Sequence, residues 1–262
     1  MSFPFQGTAN ALSSEGLAEA ASKLGVFAAE IWTVLAVETS GCGYLPDRRP
    51  QILFERHIFH RLTAGRFDSN SEISGPSPGG YGPSGSHQYD RLAQAMACDR
   101  TASLQSASWG IGQIMGENFA AAGFGKVEDM VTAMSSSEDQ QLAGMANFLV
   151  ANRLHLSLRS HDWATFARGY NGPNYVVNRY DVRLNAEYQK WSAGVLPDLN
   201  VRATQLYLTY LGFHPGPIDG VAGERTLAAL AEFQQRNGVE QSASISVECV
   251  ASLQSALGEV NA

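Results

Sequence analysis

The side chain best placed to do chemistry in this chain is Glu38, which closes the apolar run Val34-Leu35-Ala36-Val37. Apolar surroundings penalise the ionised form of a carboxyl and keep it protonated near neutral pH. Cleavage of a glycosidic bond needs such a proton donor beside the leaving oxygen. The plainer reading of Glu38 is a helix-end acid that reaches solvent or caps a neighbouring loop. Two further stretches stand out. Ala107 to Met115 (Ala-Ser-Trp-Gly-Ile-Gly-Gln-Ile-Met) is a glycine-rich turn, and Gly110, Gly112 and Gly116 permit close backbone approach to a ligand. Tyr170-Asn171-Gly172 ends a helix-like segment. Other chemistries lack their signatures. His57 and His60 stand three apart but belong to no metal-binding spacing, so no metal or cofactor is expected. There is no Gly-x-Ser-x-Gly elbow for a serine nucleophile, and the glycines at 79–85 follow no buried strand that would make them a phosphate loop.

These residues need helices to hold them. Residues 14–24 read as a short helix stopped by Gly25, and 26–38 as a helix apolar all round, hence a core helix with Glu38 at its end. Residues 50–62 fit either a helix (Ile58, Leu62) or a short strand over Gln-Ile-Leu-Phe-Glu. Residues 69–87, rich in Ser, Gly and Pro, read as a surface loop, more readily a passive excursion than a lid. A helix is expected over 88–98. Ser135-Ser136-Ser137-Glu138 reads as a capping box ahead of a helix carrying Leu142, Met145 and Leu149. Another helix spans 162–170 with Asp162 as its cap, and a last one carries Leu184, Tyr188 and Trp191.

At Gly194-Val195-Leu196-Pro197-Asp198 the texture changes to that of a linker. The reading is therefore a mainly α protein of two units, 1–193 and 199–262. The second contains no lysine and has three expected helices, Val201–Leu211, Glu224–Asn237 and Ser246–Leu257. About 60 residues suffice for a marginal three-helix module that folds alone. The whole chain of 262 residues carries a formal charge of -7. That argues against a nucleic-acid binder and against simple adsorption to an anionic envelope. Cys42, Cys98 and Cys249 are odd in number and irregular in spacing, and read as buried thiols rather than a disulfide framework. The N-terminus lacks the basic and apolar regions of a signal peptide, and no run is long enough to span a membrane. Synthesis in the cytoplasm is expected, with release through a membrane pore if the substrate lies outside, and no stable membrane insertion.

Four motifs occur in order: Ala-Val-Glu-Thr-Ser-Gly, Pro-Gln-Ile-Leu-Phe-Glu-Arg-His-Ile-Phe, Ala-Ser-Trp-Gly-Ile-Gly-Gln-Ile-Met-Gly and Phe-Ala-Arg-Gly-Tyr-Asn-Gly-Pro-Asn-Tyr. Together they resemble the N-acetylmuramidase domain of phage endolysins, within the lysozyme-like superfamily, over roughly residues 20–192. The resemblance implies a two-lobed helical fold with a sugar cleft, and cleavage of the β-1,4 bond from N-acetylmuramic acid to N-acetylglucosamine. It carries Glu38 over as general acid, with Thr39 replacing the family's more frequent serine and Ser40 beside it. Glu55 stands where the family has an acid; it reads as the base that activates water, as a partner of Arg56 or His57, or as a structural ion pair. Gln113 would orient sugar amides or water. Tyr170 and Asn171 would bond the N-acetyl sugar or simply pack in the core. Trp109 fits a sugar platform or the core.

The tail, with Leu-Gly-Phe, Gly-Pro-Ile-Asp-Gly, Gly-Glu-Arg-Thr and Phe-Gln-Gln-Arg-Asn-Gly, resembles the helical peptidoglycan-binding module of wall hydrolases. Asp219, Gly220, Arg225 and Thr226 are its candidate wall contacts. It departs from the family at Gln241-Ser242-Ala243, where a second Asp-Gly turn is common. The expected partner is the peptidoglycan glycan strand, and the expected state a monomer. The alternatives are a lytic transglycosylase, in which the muramic 6-hydroxyl replaces water, a secreted antibacterial effector, and a non-catalytic wall-binding protein.

Overall fold

The computed structural model describes residues 4–39, 41–239 and 244–260. Ser40 and the Gln241-Ser242-Ala243 departure lie outside the described residues. The fold is mainly helical. Helix α1 (Ser14–Leu24) starts where the Ser13 hydroxyl accepts from the Gly16 N–H and stops at Gly25, whose φ of 65° suits the left-handed cap. Helix α2 (Ala28–Thr39) is buried from Glu30 to Leu35. The ambiguous segment resolves into both of its readings, strand β1 (Ile52–Phe54) and helix α3 (Arg56–Leu62), with Glu55 at the junction. Helices α4 (His87–Met96) and α5 (Arg100–Gln105) lead to strands β2 (Ala107–Trp109) and β3 (Ile114–Met115). The three strands form one antiparallel sheet in the order β1-β2-β3, with Ile52 opposite Trp109 and Trp109 opposite Ile114.

Helices α6 (Val127–Ser136), α7 (Glu138–Ala151), α8 (Leu154–Arg159), α9 (Trp163–Asn171) and α10 (Tyr180–Ala193) complete the large unit. The expected capping box is displaced. Ser135 and Ser136 finish α6, and Ser137 is the cap of α7, accepting from the Gln140 N–H at 3.1 Å. Glu138 is thereby freed for another role. Asp162 caps α9 as its sequence suggests, accepting from Thr165 N–H. Helix α10 lies along α2, so the helix that ends in Glu38 is held between core and α10.

Helices α11 (Leu199–Tyr210), α12 (Glu224–Arg236) and α13 (Val247–Val260) form the second unit, with their own core of Tyr207, Leu208, Phe213, Leu230, Phe233 and Leu253. This unit does not stand apart. Every residue of α11 from Val201 to Leu208 is buried, because its other face packs on the large unit. Leu206 joins Ala9, Cys42 and Tyr44 in a shared cluster. Tyr207 accepts from the Ala11 N–H, and Tyr210 donates to the Ala9 carbonyl.

The Ser/Gly/Pro-rich segment is likewise more anchored than its composition suggests. Ile73 and Ser74 are buried. Two fully buried side chains of α4 hold the rest: Gln88 donates to the Tyr81 and Pro83 carbonyls, and Arg91 to those of Glu72 and Tyr81. Of the cysteines, Cys42 and Cys249 are buried as expected, while Cys98 is exposed.

Candidate active site

Glu38 occupies the last turn of α2, where the unpaired carbonyls of the helix end already disfavour a negative charge. Its carboxyl is pushed up to about 7, above all by burial; the Asn171 hydrogen bond and the Arg183 charge pull in the opposite direction but only in part. Asn171 Nδ2 donates to Glu38 Oε1 at 3.1 Å. The other end of that amide, Asn171 Oδ1, is buried without a protein partner. Arg183, which the sequence reading missed, comes from α10 and donates to the Val37 carbonyl at 3.0 Å. A buried carboxyl with one neutral donor and one partly offset cation is neutral for much of the time at pH 7, and so able to give up a proton.

The turn that follows is clamped. Thr39 sends its hydroxyl to the carbonyls of Leu35 and Ile111, so it ties the end of α2 to the β2–β3 turn. Gly41 has φ 84°, the left-handed conformation of a helix stop, and its N–H returns to the Leu35 carbonyl. Tyr170 hydroxyl donates to the Gly112 carbonyl at 2.5 Å, and its ring stacks on Phe166. Both residues of the Tyr-Asn pair thus bridge α9 to the walls around Glu38, one through the turn and one through the acid itself.

The Gly-Ile-Gly-Gln turn is placed differently from expectation. Gln113 spends its amide internally: Oε1 accepts from Ser108, and Nε2 donates to the Gln51 and Gly110 carbonyls. Its φ of 48° shows the backbone itself bent into the turn. Trp109 has no exposed surface and donates from Nε1 to the Leu104 carbonyl, so it is core and not a platform. The glycines admit protein, not ligand. A Cβ at Gly110 would meet the Gln141 side chain at 2.6 Å, and one at Gly116 the Leu104 carbonyl at 2.0 Å. Gln141, unflagged by the sequence, is the hub: it accepts from the Ile111 N–H and donates to the Met134 carbonyl.

Glu55 sits at the end of β1, its N–H bonded to the Ser106 carbonyl. Burial raises its carboxyl above the usual range, while His57, Tyr81 and Arg91 oppose the shift. His57 Nδ1 lies 3.1 Å from Glu55 Oε2. Tyr81 reaches it from the glycine-rich loop, so that loop borders the second carboxyl. No direct contact joins Glu55 to Glu38 among the described residues. His60 is taken by Asp68 at 2.8 Å, away from His57.

In the second unit, Asp219, Gly220 and Thr226 converge on Gln205, another residue the sequence did not flag. Gln205 accepts from the N–H groups of Asp219 and Gly220 and donates to Asp219 and to the Thr226 hydroxyl. These three shape the turn; Asp219 and Arg225 are exposed, and Arg225 lies beside a hollow of about 470 Å³ with His214 and Phe213.

A buried, protonatable acid at a core-helix end and an amide from a facing helix make a candidate site for glycan cleavage. The N-acetylmuramidase family model matches residues 27–192, and the peptidoglycan binding domain model matches residues 197–253. The chain belongs to the N-acetylmuramidase family and is a peptidoglycan hydrolase acting on the cell wall. Among solved structures, the Burkholderia AP3 phage endolysin is similar: 37% identical with a TM-score of 0.63, covering 72% of this chain and 72% of that one. No curated protein matches the chain.

Proposed function

We propose that the protein is an endolysin, in which Glu38 protonates the oxygen bridging N-acetylmuramic acid to N-acetylglucosamine. The bond from C1 to that oxygen breaks as the proton arrives, and a water that gives its proton to Glu55 bonds to C1. The observation that carries the reading is the Glu38 carboxyl itself, held near neutrality and bonded to a single side chain. The role in lysis rests on the likeness to the phage endolysin. Asn171 keeps Glu38 oriented through its side-chain amide. Thr39 shapes the wall beneath the sugar, and Tyr170 acts through the Gly112 backbone. Glu55 serves as the second carboxylate, with His57 and Tyr81 holding it.

A second carboxylate favours hydrolysis over transglycosylation, since water needs activation whereas an attacking hydroxyl of the sugar is already tethered. Mass spectrometry of released muropeptides tests this. Reducing muramic acid ends from the wild type and none from Glu38→Gln are expected; 1,6-anhydro ends would assign a transglycosylase instead. In the second unit, Arg225 beside its hollow offers a cation for the carboxylates of wall peptides.

A further inference from the structure

The deepest charged pair among the described residues joins the two units. Arg202 of α11 is 1% exposed and Glu138 of α7 is fully buried. Arg202 Nη1 lies 2.5 Å from Glu138 Oε2, and Nη2 lies 2.6 Å from Oε1. The same guanidinium donates from Nε to the Gly41 carbonyl at 2.9 Å, and again from Nη2. It sits over the ring of Trp32 in α2, 5.8 Å from the centroid. Glu138 reaches the same turn from the opposite side, accepting from the Gly43 N–H at 2.9 Å, and it also accepts from Leu12 N–H.

Burying two charges costs desolvation that a pair of apolar side chains would avoid. What the pair supplies is directional. One backbone carbonyl, of Gly41, and one backbone N–H, of Gly43, in the turn beyond the Glu38 helix are both held by it. The turn is fastened from the wall-binding unit as firmly as from the large unit.

On the reading of Glu38 as the general acid, we infer that Arg202 is a positioning residue for glycan cleavage. It fixes the turn that follows the helix carrying Glu38 and so sets where that helix end lies, by which the second unit contributes to turnover independently of wall anchoring. A purely structural interface contact would lower stability without touching kcat. Tyr207 supplies that comparison: it lies on the same helix and bonds Ala11 and Gln254, not the turn.

The experiment uses full-length protein and soluble, uncrosslinked glycan strands, so that wall anchoring does not enter. Wild type, Arg202→Lys, Tyr207→Phe and Glu38→Gln are compared for kcat, KM, pH profile and Tm. Arg202→Lys keeps the charge but not the fork. It is expected to lower kcat by about 10- to 100-fold with little change in KM. The alkaline limb of its pH profile shifts, and its pelleting with intact walls is unchanged. Tyr207→Phe is expected to lower Tm with kcat within about twofold of wild type. The inference is overturned if Arg202→Lys retains wild-type kcat below its Tm, or if both variants lose kcat in proportion to Tm. If Arg202→Lys does not fold, the charge-free pair Arg202→Met with Glu138→Met replaces it; wild-type kcat in that folded variant overturns the inference, and a loss with unchanged wall binding supports it. An active Glu38→Gln variant overturns the reading of the acid, whereas a fully active Arg202→Lys beside an inert Glu38→Gln overturns the clamp alone.

Discussion

Glu38 and Glu138 are both carboxylates withdrawn from water, and they are treated in opposite ways. Glu138 is saturated: it accepts two bonds from Arg202, one from Gly43 and one from Leu12. Glu38 has one neutral donor, Asn171, and its charge is left largely uncompensated. The difference teaches what each is for. A fully bonded carboxylate is held in one place, which suits a clamp. A sparsely bonded one moves between charged and neutral forms at ordinary pH, which suits proton transfer.

Breaking that contrast gives the largest expected effect. Glu38→Gln should lower kcat on glycan strands by about 10³- to 10⁴-fold, measured by release of reducing ends, with wall binding intact. Glu138→Ala should instead cost about 3–5 kcal/mol of stability, seen in denaturant unfolding, because it leaves the Arg202 charge buried and alone. Asn171→Ala sharpens the comparison. Its hydrogen bond lowers the Glu38 pKa, so losing it should move the alkaline limb of the rate profile above its wild-type position near pH 7. A limb that stays put or moves down would contradict the assigned donor.

The smallest effect is one of stability, and its sign runs against intuition. The folded-state pKa of Glu38 lies above its value of 4.5 in the open chain, so the folded state holds the proton longer. The penalty is absent below pH 4.5, grows as pH rises to about 7, and is full above that. Glu38→Gln should therefore be as stable as wild type at pH 4 and more stable at pH 8, by at most about 3 kcal/mol. Equal stability at pH 8 would mean that Glu38 is not desolvated.

How much of this was legible follows the same division. The setting of Glu38 could be read because its cause is local, an apolar helix that ends on an acid. The break between Phe54 and Arg56 was open in sequence because strand and helix share Glu55 as a boundary. The turn at 107–115 was legible as special but not for its reason. Its glycines make room for Gln141 and Leu104, and Gln113 is consumed by Ser108, Gln51 and Gly110. Gln51 and Gln141 lie too far off in sequence to leave a spacing to read. Arg202 and Glu138 are the extreme case. Glu138 was visible only as a member of a capping box, and Arg202 carried no signal at all. The linker at 194–198 was legible by composition, which says nothing of what the next helix leans on.

That leaning has a consequence for how such enzymes can be recombined. A chimera joined within 194–198 would exchange α11 along with the wall-binding specificity, and the recipient would lose the side chains that fill the gap beside Cys42 and Tyr44. A joint placed after α11 would instead strip the wall-binding unit of Tyr207 and Leu208, which fill its own core. The first helix of the tail thus serves two cores at once, and a swap that keeps one of them opens the other.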